Sequence, residues 1–339
     1  MNFFKKSILF TLAFSLMSFS VRADINVVTT IKPLHSLISN VMKGVGEPSL
    51  IIEGTSNPHN FVLKPSHAKL LQDADIIFWV GEDLEAFIEK PLKSLAKDTK
   101  KISFMELGSI SKLTFREENI FDHDDHDDHD GHKEDDHDDH EEHDDHEEHD
   151  DHDGHKEDDH DDHDDHDEHN HGEFDAHLWL DPVNAKKMVI EISHELSELD
   201  PTNKNRYKAN ADKTIEDLDG LIEEVNQLLS KDISYVVFHD AYQYFEKRFE
   251  VTSAGALTLN PDVLPGAKQI VDIQNLIKQK NIKCIFSEPQ YNPKIIETLA
   301  NDTNILTGTM DPLGANLDKG SAMYSKLIMN IANSIKNCS

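Results

Sequence analysis

The 339 residues include 33 basic and 66 acidic side chains, giving a formal net charge of −33, and 37% of them are hydrophobic. This length predicts two domains of ordinary size, each able to bury an apolar core. Most of the charge is local, because residues 122–173 hold 30 acidic and two basic side chains, leaving 36 acids and 31 bases elsewhere. The body of the chain is therefore mildly acidic, and the lack of a basic cluster excludes nucleic acid as an expected partner.

The first 23 residues have the pattern of a secretory signal peptide. A pair of lysines precedes an apolar run from Ile8 to Phe19, and Val21 and Ala23 place small side chains at the −3 and −1 positions. The run is too short to span a membrane, and no cysteine follows it to carry a lipid anchor. We therefore expect an exported, periplasmic protein whose mature chain begins at Asp24. We also expect it to be a monomer.

Short apolar, β-branched runs alternate with amphipathic stretches, which predicts an α/β fold with mainly parallel sheets flanked by helices. The first set of predicted strands is Asn26–Thr30, Ser49–Glu53, Ala74–Val80 and Lys101–Phe104. The second set is Tyr235–Phe238, Val251–Ala254, Lys283–Phe286 and Asn304–Thr307. Each set has its own helices, so we predict an N-terminal lobe over residues 24–200 and a C-terminal lobe over residues 230–339.

Between the two sets, the pattern predicts one long helix over residues 201–229. Asp200 is a suitable N-cap, and Pro201 suits the first helical position. A helix of this length spans roughly 43 Å, enough to link both lobes. Because a helical link resists large hinge motion, we expect a binding site that closes only slightly on its ligand.

Residues 122–173 form an acidic, histidine-rich loop within the first lobe. Almost every residue is Asp, Glu or His, and the sequence from His126 to His140 repeats letter for letter from His149 to His163. With nothing apolar to bury, the loop is predicted to be disordered. Its sixteen histidines predict weak, exchangeable sites for divalent ions. Candidate ligands there are His123, His126, His129 and His132. A solvated acidic linker with incidental histidines is the alternative.

Four residues elsewhere are candidates for one tight metal site. His59, His177 and His239 lie in loops or at a strand end, and Asp311 follows the last predicted strand. In open α/β sheets, ligands collect at the carboxyl ends of strands. Three imidazoles and one carboxylate suit tetrahedral zinc. Spacing alone does not decide this, because the four residues share no short motif and any one histidine could be a surface or core residue.

The remaining three histidines and the two cysteines are predicted to have structural roles. His35, His67 and His194 lie at helix starts or on a polar helix face, and we predict structural or solvated roles for them. In an exported protein, the pair Cys284 and Cys338 predicts one disulfide. Two free thiols or a metal-binding pair are the alternatives.

Eight segments in order carry a resemblance to a known family. They are NPHNFVLKPS, ADIIFWVGEDLEAFIEK, the His-rich loop, HLWLDP, FHDAYQYFEK, LNPDVLPGA, FSEPQYNP and GTMDPLG. Over essentially all of its mature length, the chain resembles the zinc-specific substrate-binding subunits of bacterial ABC importers, the ZnuA type. The resemblance implies two α/β lobes joined by one rigid helix, with Zn²⁺ carried as cargo in the cleft and an ABC permease as partner.

The resemblance also assigns residues to roles. It implies that His59 and His177 bind the metal from the N-terminal lobe, and that His239 and Asp311 bind it from the C-terminal lobe. Manganese-binding relatives resemble this chain but look to have glutamate at the position of His239, so the imidazole here favours zinc. The family's disulfide matches Cys284 and Cys338. The His-rich loop departs from the pattern, being longer and more repetitive than in a typical member.

Two other functions remain open from the sequence. One is a hydrolytic zinc enzyme with Glu288 as general base. The other is a periplasmic metal buffer or chaperone that never docks on a permease. The resemblance favours transport and implies that the chain is not an enzyme.

Overall fold

The computed structural model describes residues 25–120, 172–259, 261, 263 and 265–338. The predicted signal peptide lies outside these residues, as does the His-rich loop up to residue 171. The proposed accessory ligands His123, His126, His129 and His132 therefore also lie outside them. In the part of the chain that the structure describes, no helix is both long and apolar enough to cross a membrane.

The first half of the chain forms a parallel four-stranded sheet with the order β2-β1-β3-β4. Its strands are β1 (Val27–Thr29), β2 (Ser49–Leu50), β3 (Ile76–Trp79) and β4 (Lys100–Ser103). Its helices are α1 (Lys32–Val41), α2 (Pro65–Asp73), α3 (Glu82–Leu95) and α4 (Pro182–Leu199). All of β3 is buried. Parallel strands covered on both faces have such continuous apolar sequences, so β3 could be predicted from the sequence alone.

The second half forms another parallel four-stranded sheet, with the order β6-β5-β7-β8. Its strands are β5 (Tyr235–His239), β6 (Gly255–Thr258), β7 (Cys284–Ser287) and β8 (Leu306–Thr309). The helices after α4 are α5 (Lys204–Leu228), α6 (Gln243–Phe249), α7 (Ala267–Gln279), α8 (Lys294–Thr303) and α9 (Met323–Lys336). Two parallel sheets flanked by helices confirm the predicted fold class.

The strand predicted at Val251–Ala254 is wrong, because β6 begins at Gly255. Glu250 ends α6 in a left-handed conformation with φ of 52°. The next residues bond back to that helix: Val251 N donates to Glu246 O at 3.1 Å and Ser253 N to Glu246 Oε1 at 3.1 Å. Both residues are buried at the helix end, and the strand follows them.

The predicted start of the long helix is also wrong. Helix α4 continues to Leu199, residues 201–203 form a turn, and α5 begins at Lys204. Asp200 does not cap α5; its Oδ2 accepts from Asn203 Nδ2 at 2.7 Å and from Tyr207 Oη at 3.0 Å, which braces the turn. With 25 residues, α5 spans about 38 Å. It packs against α1, α4 and α9, and its role as the sole rigid link stays a prediction.

The C-terminal helix returns to the first half of the molecule. Helix α9 packs against α1 and α5, and the larger apolar cluster runs from β1 through residues of the second sheet to α9. A smaller cluster lies among β5–β7, α7 and α8. The end of α9 is joined to β7 by the Cys284–Cys338 disulfide, which confirms that prediction. The proposed boundaries of 24–200, 201–229 and 230–339 stay a prediction.

A polar seam on α1 holds the loop that follows Asp311. Lys32 Nζ donates to three backbone carbonyls between residues 314 and 317, at 2.6 to 3.1 Å. One and two turns later, Ser36 Oγ and Asn40 Nδ2 donate to Ser321 O at 3.1 and 2.8 Å. These residues recur every four positions and so share one helix face. The first half of the chain thereby fixes a loop of the second half beside the candidate site.

The segment preceding the His-rich loop also joins the two halves. Arg116 donates to Asp240 Oδ1 and Glu246 Oε2, both at 2.7 Å, and Ile120 pairs with Gly255 of β6. Just after the loop, the backbone N–H of Asp175 donates to Leu113 O at 2.8 Å. Both flanks of the loop are therefore anchored within the folded body.

Buried Glu85 is expected to make stability depend on pH. Its Oε2 accepts from Val80 N at 2.8 Å and Gly81 N at 3.4 Å, while burial raises its pKa to about 7. A raised carboxyl pKa stabilises the fold fully below the unfolded value near 4.5, and this contribution is lost as pH rises through about 7. The loss is about 3 kcal/mol.

Glu85→Gln should remove this part of the pH dependence. Urea unfolding at about pH 5 and about pH 8 measures it, with Glu223→Gln, at an exposed residue of α5, as the control. The wild-type free energy of unfolding should fall more over this interval than that of Glu85→Gln. Equal slopes for the two proteins would contradict the assignment.

Candidate metal centre

Three of the four predicted site residues come together. His59 lies in the loop after β2, His177 lies in the turn before α4, and His239 is the last residue of β5. One ring nitrogen of each lies within 4.8 Å of the others. The Nε2 atoms of His177 and His239 are 3.4 Å apart. The three rings line a cavity of about 10 Å³, room for one water-sized species.

Two buried carboxylates orient two of these rings. Asp175 Oδ1 lies 2.7 Å from His177 Nδ1, and Glu288 Oε1 lies 2.7 Å from His239 Nδ1. A carboxylate accepts only, so in each neutral imidazole Nδ1 carries the proton and Nε2 keeps its lone pair. Those two lone pairs belong to the nitrogens that face each other. The arrangement can therefore hold a cation that takes nitrogen ligands.

Neither orienting role was found from the sequence. Asp175 was not singled out, and Glu288 was considered only as the base of a hydrolase. The available signal was position: Asp175 stands two residues before His177, and Glu288 directly follows β7, the neighbour of β5. Aligned carboxyl ends bring Glu288 beside His239.

The charge on Glu288 also affects protonation of His239. Burial of the imidazole lowers its pKa, but the facing Glu288 carboxylate, together with Asp240 and Asp175, outweighs burial, so the pKa of His239 is raised overall. Without a bound cation, the site therefore holds a proton on His239 to a higher pH than free imidazole does. A cation that binds His239 Nε2 must displace that proton.

The segment carrying His177 is tied to the second half of the molecule. Trp179 Nε1 donates to Pro312 O at 2.8 Å, and Tyr324 Oη donates to Trp179 O at 2.7 Å. Tyr244 Oη donates to Asp175 O at 2.7 Å. These bonds fix the backbone on each side of His177, so its position is set by tertiary contacts, while Asp175 directs its ring.

The loop carrying His59 is held mainly by aromatic packing. Phe61 stacks on His67 with 5.5 Å between ring centroids and contacts Phe87 edge-on at 5.2 Å. His59 N donates to Asn57 Oδ1 at 3.0 Å. His59 is only half-buried, unlike His177 and His239. It is thus the most accessible of the three histidines.

Asp311 does not join the three histidines. Its Oδ1 accepts from Gln290 Nε2 at 2.9 Å and from the backbone N–H groups of Leu313 and Gly314, both at 3.0 Å. Its Oδ2 accepts from Ala315 N at 2.6 Å. The carboxylate thus closes its own loop, and its role as the fourth ligand stays a prediction.

The other histidines of the described residues lie outside this centre. His35 is buried, with Nε2 3.1 Å from Pro48 O, and His67 Nδ1 accepts from Lys64 N at 3.2 Å. His194 is exposed beside Glu198, and with Glu195 they make the only other possible metal group among residues 25–120 and 172–338 that the structure describes. Lys100 already pairs with both of those carboxylates.

Comparison with known proteins agrees with these observations. The family model described as "ZnuA: Zinc-uptake complex component A periplasmic" matches residues 27–338. The chain belongs to this family. It is 46% identical over 315 residues to the high-affinity zinc uptake system protein ZnuA of Brucella abortus strain 2308, covering 92% of this chain and 91% of the relative. The ZnuA of Haemophilus influenzae is 37% identical, with 96% of each chain covered.

Solved structures share the fold at lower identity. A ZnuA deletion mutant with zinc bound superposes with a TM-score of 0.69 at 20% identity, covering 93% of this chain and 98% of that one. The SBP FpvC of Pseudomonas aeruginosa in complex with Mn²⁺ gives a TM-score of 0.68 at 17% identity, covering 93% and 98%. Because these neighbours hold different metals, the fold by itself does not select the ion.

Proposed function

We propose that this chain is a periplasmic receptor that captures Zn²⁺ at His59, His177 and His239 and, as a monomer, delivers it to an ABC transporter permease. The convergence of three imidazoles from distant parts of the chain carries the proposal. Membership of a family of zinc-uptake components supports the transport role.

The spacing of the nitrogens fits zinc. With Zn–N bonds of about 2.05 Å, two ligands at the corners of a tetrahedron lie roughly 3.3 Å apart. The Nε2 atoms of His177 and His239 are 3.4 Å apart. Imidazole suits zinc, whereas oxygen ligands suit manganese. This pre-set pair of nitrogens therefore favours zinc among the ions that the fold accommodates.

The position of Glu288 argues against a hydrolytic zinc site. A general base must face the water that attacks the substrate. Glu288 Oε1 instead accepts from His239 Nδ1, on the side of the ring away from His177. An orienting role for Glu288 suits a receptor, and the chain is proposed not to be an enzyme.

Zinc binding should also stabilise the contact between the two halves of the molecule. His59 and His177 belong to the first half and His239 to the second, so an ion bound to all three stabilises their association by mass action. The α1 seam and Trp179 already join the halves near the site. We therefore expect only a small closure on binding.

Metal titration of the full chain tests the proposal. Native mass spectrometry should show one tightly held Zn²⁺ that excess Mn²⁺ does not displace. Tight binding of Mn²⁺ in preference to Zn²⁺, or no tight ion, would reject a zinc receptor. Deleting the gene should impair growth only when zinc is scarce, with rescue by added zinc; normal growth would favour a metal buffer.

The two orienting carboxylates should each raise zinc affinity. Asp175→Asn and Glu288→Gln keep the shape of the side chain but weaken its hold on the Nδ1 proton, so each should weaken zinc binding by about 10- to 100-fold. Competition with a chromophoric chelator measures this. Glu198→Gln is the matched control, because Glu198 faces His194 outside the centre. An unchanged affinity in both variants would show that the carboxylates do not support the ligands.

A further inference from the structure

A segment of the first half crosses onto the second half before the His-rich loop begins. We call residues 111–120 the strap. At its start, Ser111 N donates to Asn184 Oδ1 at 3.0 Å, and Asn184 Nδ2 donates to Ser111 O at 2.9 Å. Asn184 is fully buried on α4. At the other end of the strap, Ile120 pairs antiparallel with Gly255 of β6. The strap therefore extends the second sheet from an anchor in the first half.

The contact between the strap and β6 depends on a glycine. Ala256 N donates to Asn119 O at 2.9 Å, and Asn119 Nδ2 donates to Ala256 O at 3.1 Å. A Cβ atom at Gly255 would lie 2.5 Å from Asn119 O, nearer than packed atoms approach each other. Glycine in a strand marks a place where another backbone comes this close. The sequence of β6 is thus suited to receive the strap.

The middle of the strap places a cation between two buried carboxylates of the second half. Arg116 donates to Asp240 Oδ1 and to Glu246 Oε2, both at 2.7 Å, and these carboxylate side chains are 4% and 2% exposed. Glu246 Oε1 also accepts from Tyr235 Oη at 3.2 Å. A buried carboxylate without a partner is strongly destabilising. Two buried charges of the second half therefore depend on a guanidinium that the strap supplies.

The strap also contacts the supports of two zinc ligands. Leu113 O accepts from the backbone N–H of Asp175, whose carboxylate orients the ring of His177. Three positions later, Arg116 holds the residue that directly follows His239. His177 and His239 are the ligands whose Nε2 atoms lie 3.4 Å apart. A short piece of backbone thus connects the supports of both rings.

We propose that the strap is a brace between the two halves that sets the spacing of the zinc ligands, with Arg116 as its positioning residue. The inference rests on the proposed function, because it concerns the same zinc site. A strap docked on both halves limits how far His177 and His239 can separate. Undocking would remove this preorganisation and weaken zinc binding. By linkage, bound zinc must stabilise the docked strap to the same extent.

Hydrogen exchange of the wild-type full chain tests this reciprocal effect without any substitution. The N–H groups of Leu113 and Ala256 donate to Tyr244 Oη and Asn119 O and report on docking of the strap. Their exchange should slow by about tenfold when Zn²⁺ is added. Helix α8, which packs against α7, β7 and β8, is the control and should exchange equally with and without zinc. Tight zinc binding with no slowing at the strap would overturn the proposal.

A charge-compensated variant tests Arg116 itself. Arg116→Met alone leaves two buried carboxylates unpaired and should lose stability. Combining it with Asp240→Asn and Glu246→Gln removes all three charges and should restore folding. The reference is Asp240→Asn with Glu246→Gln, in which the guanidinium still faces two amide oxygens. Chelator competition should show that the triple variant binds zinc about tenfold more weakly than this double variant. Equal affinities would overturn the proposal; if the triple variant does not fold, the exchange experiment decides.

A second cation that pairs with two carboxylates provides the matched control. Lys100 pairs with Glu195 and Glu198, and all three belong to the first half. Lys100→Met with Glu195→Gln and Glu198→Gln should bind zinc like wild type. A tenfold loss there would show that removing any such cluster weakens the site, and would overturn the specific role of the strap. Failure of wild type to bind zinc would instead reject the proposed function, and the brace with it.

Discussion

His239→Ala is expected to weaken zinc binding by more than about 100-fold. A four-ligand zinc site contributes about 10 to 16 kcal/mol of apparent binding free energy, so one ligand accounts for roughly 3 kcal/mol. A loss of that size is more than a factor of about 100 in Kd. His239 is the ligand with the strongest case, because it is buried and Glu288 orients its ring.

A second variant keeps this test interpretable. His239→Ala leaves the Glu288 carboxylate buried beside a cavity, so the variant should also lose stability. His239→Ala combined with Glu288→Gln should recover stability while keeping the loss of zinc affinity. His194→Ala, at an exposed histidine outside the centre, should bind zinc like wild type. If the zinc affinity of His239→Ala stays within a few-fold of wild type, His239 is not a zinc ligand and the proposed site is wrong.

Removing the disulfide should have the largest effect on stability. Cys284 and Cys338 are 54 positions apart, and closing a loop of that length stabilises the fold by about 4 kcal/mol on the chain-entropy account. We expect Cys284→Ala with Cys338→Ala to lower the free energy of unfolding in urea by that amount. Alanine is preferred to serine because both positions are buried.

Zinc affinity should survive loss of the disulfide. Cys284 begins β7, whereas Glu288 and Gln290 follow its other end, so the disulfide and the site lie at opposite ends of one strand. Chelator competition should therefore give a Kd within about threefold of wild type. An unfolding free energy equal to that of wild type would show that the packing of α9 alone holds the C-terminus.

The apolar sequence pattern predicted a strand correctly where the strand is buried along its whole length. It failed at the junction between two elements, where buried residues belong to a helix end or a turn. The run through β3 is buried along its whole length, and the prediction there needed no tertiary information. Residues 251–254 include two β-branched side chains, but Val251 and Ser253 bond to Glu246 at the end of α6, so the pattern misplaced the start of β6. Asp200 and Pro201 resemble a helix start, yet α4 and the turn braced by Asp200 occupy that position.

The prediction of the site residues also succeeded in part and failed in part. Position after a strand or beside a turn, together with a family resemblance, was enough to select His59, His177 and His239, and the structure brings all three together. The same reasoning selected Asp311, but its carboxylate bonds to its own loop. A sequence motif marks which residue stands at a position and does not report the direction of its side chain.

The sequence alone was enough to predict the two-sheet α/β fold, the Cys284–Cys338 disulfide and the family. It was also enough to select the three histidines as candidate ligands. Only the tertiary structure identified Asp175 and Glu288 as the groups that direct two of the rings. The physical reason is that burial and strand order follow from the periodicity of apolar residues. Hydrogen bonds between distant segments instead depend on orientations set to within an ångström by packing across the whole molecule.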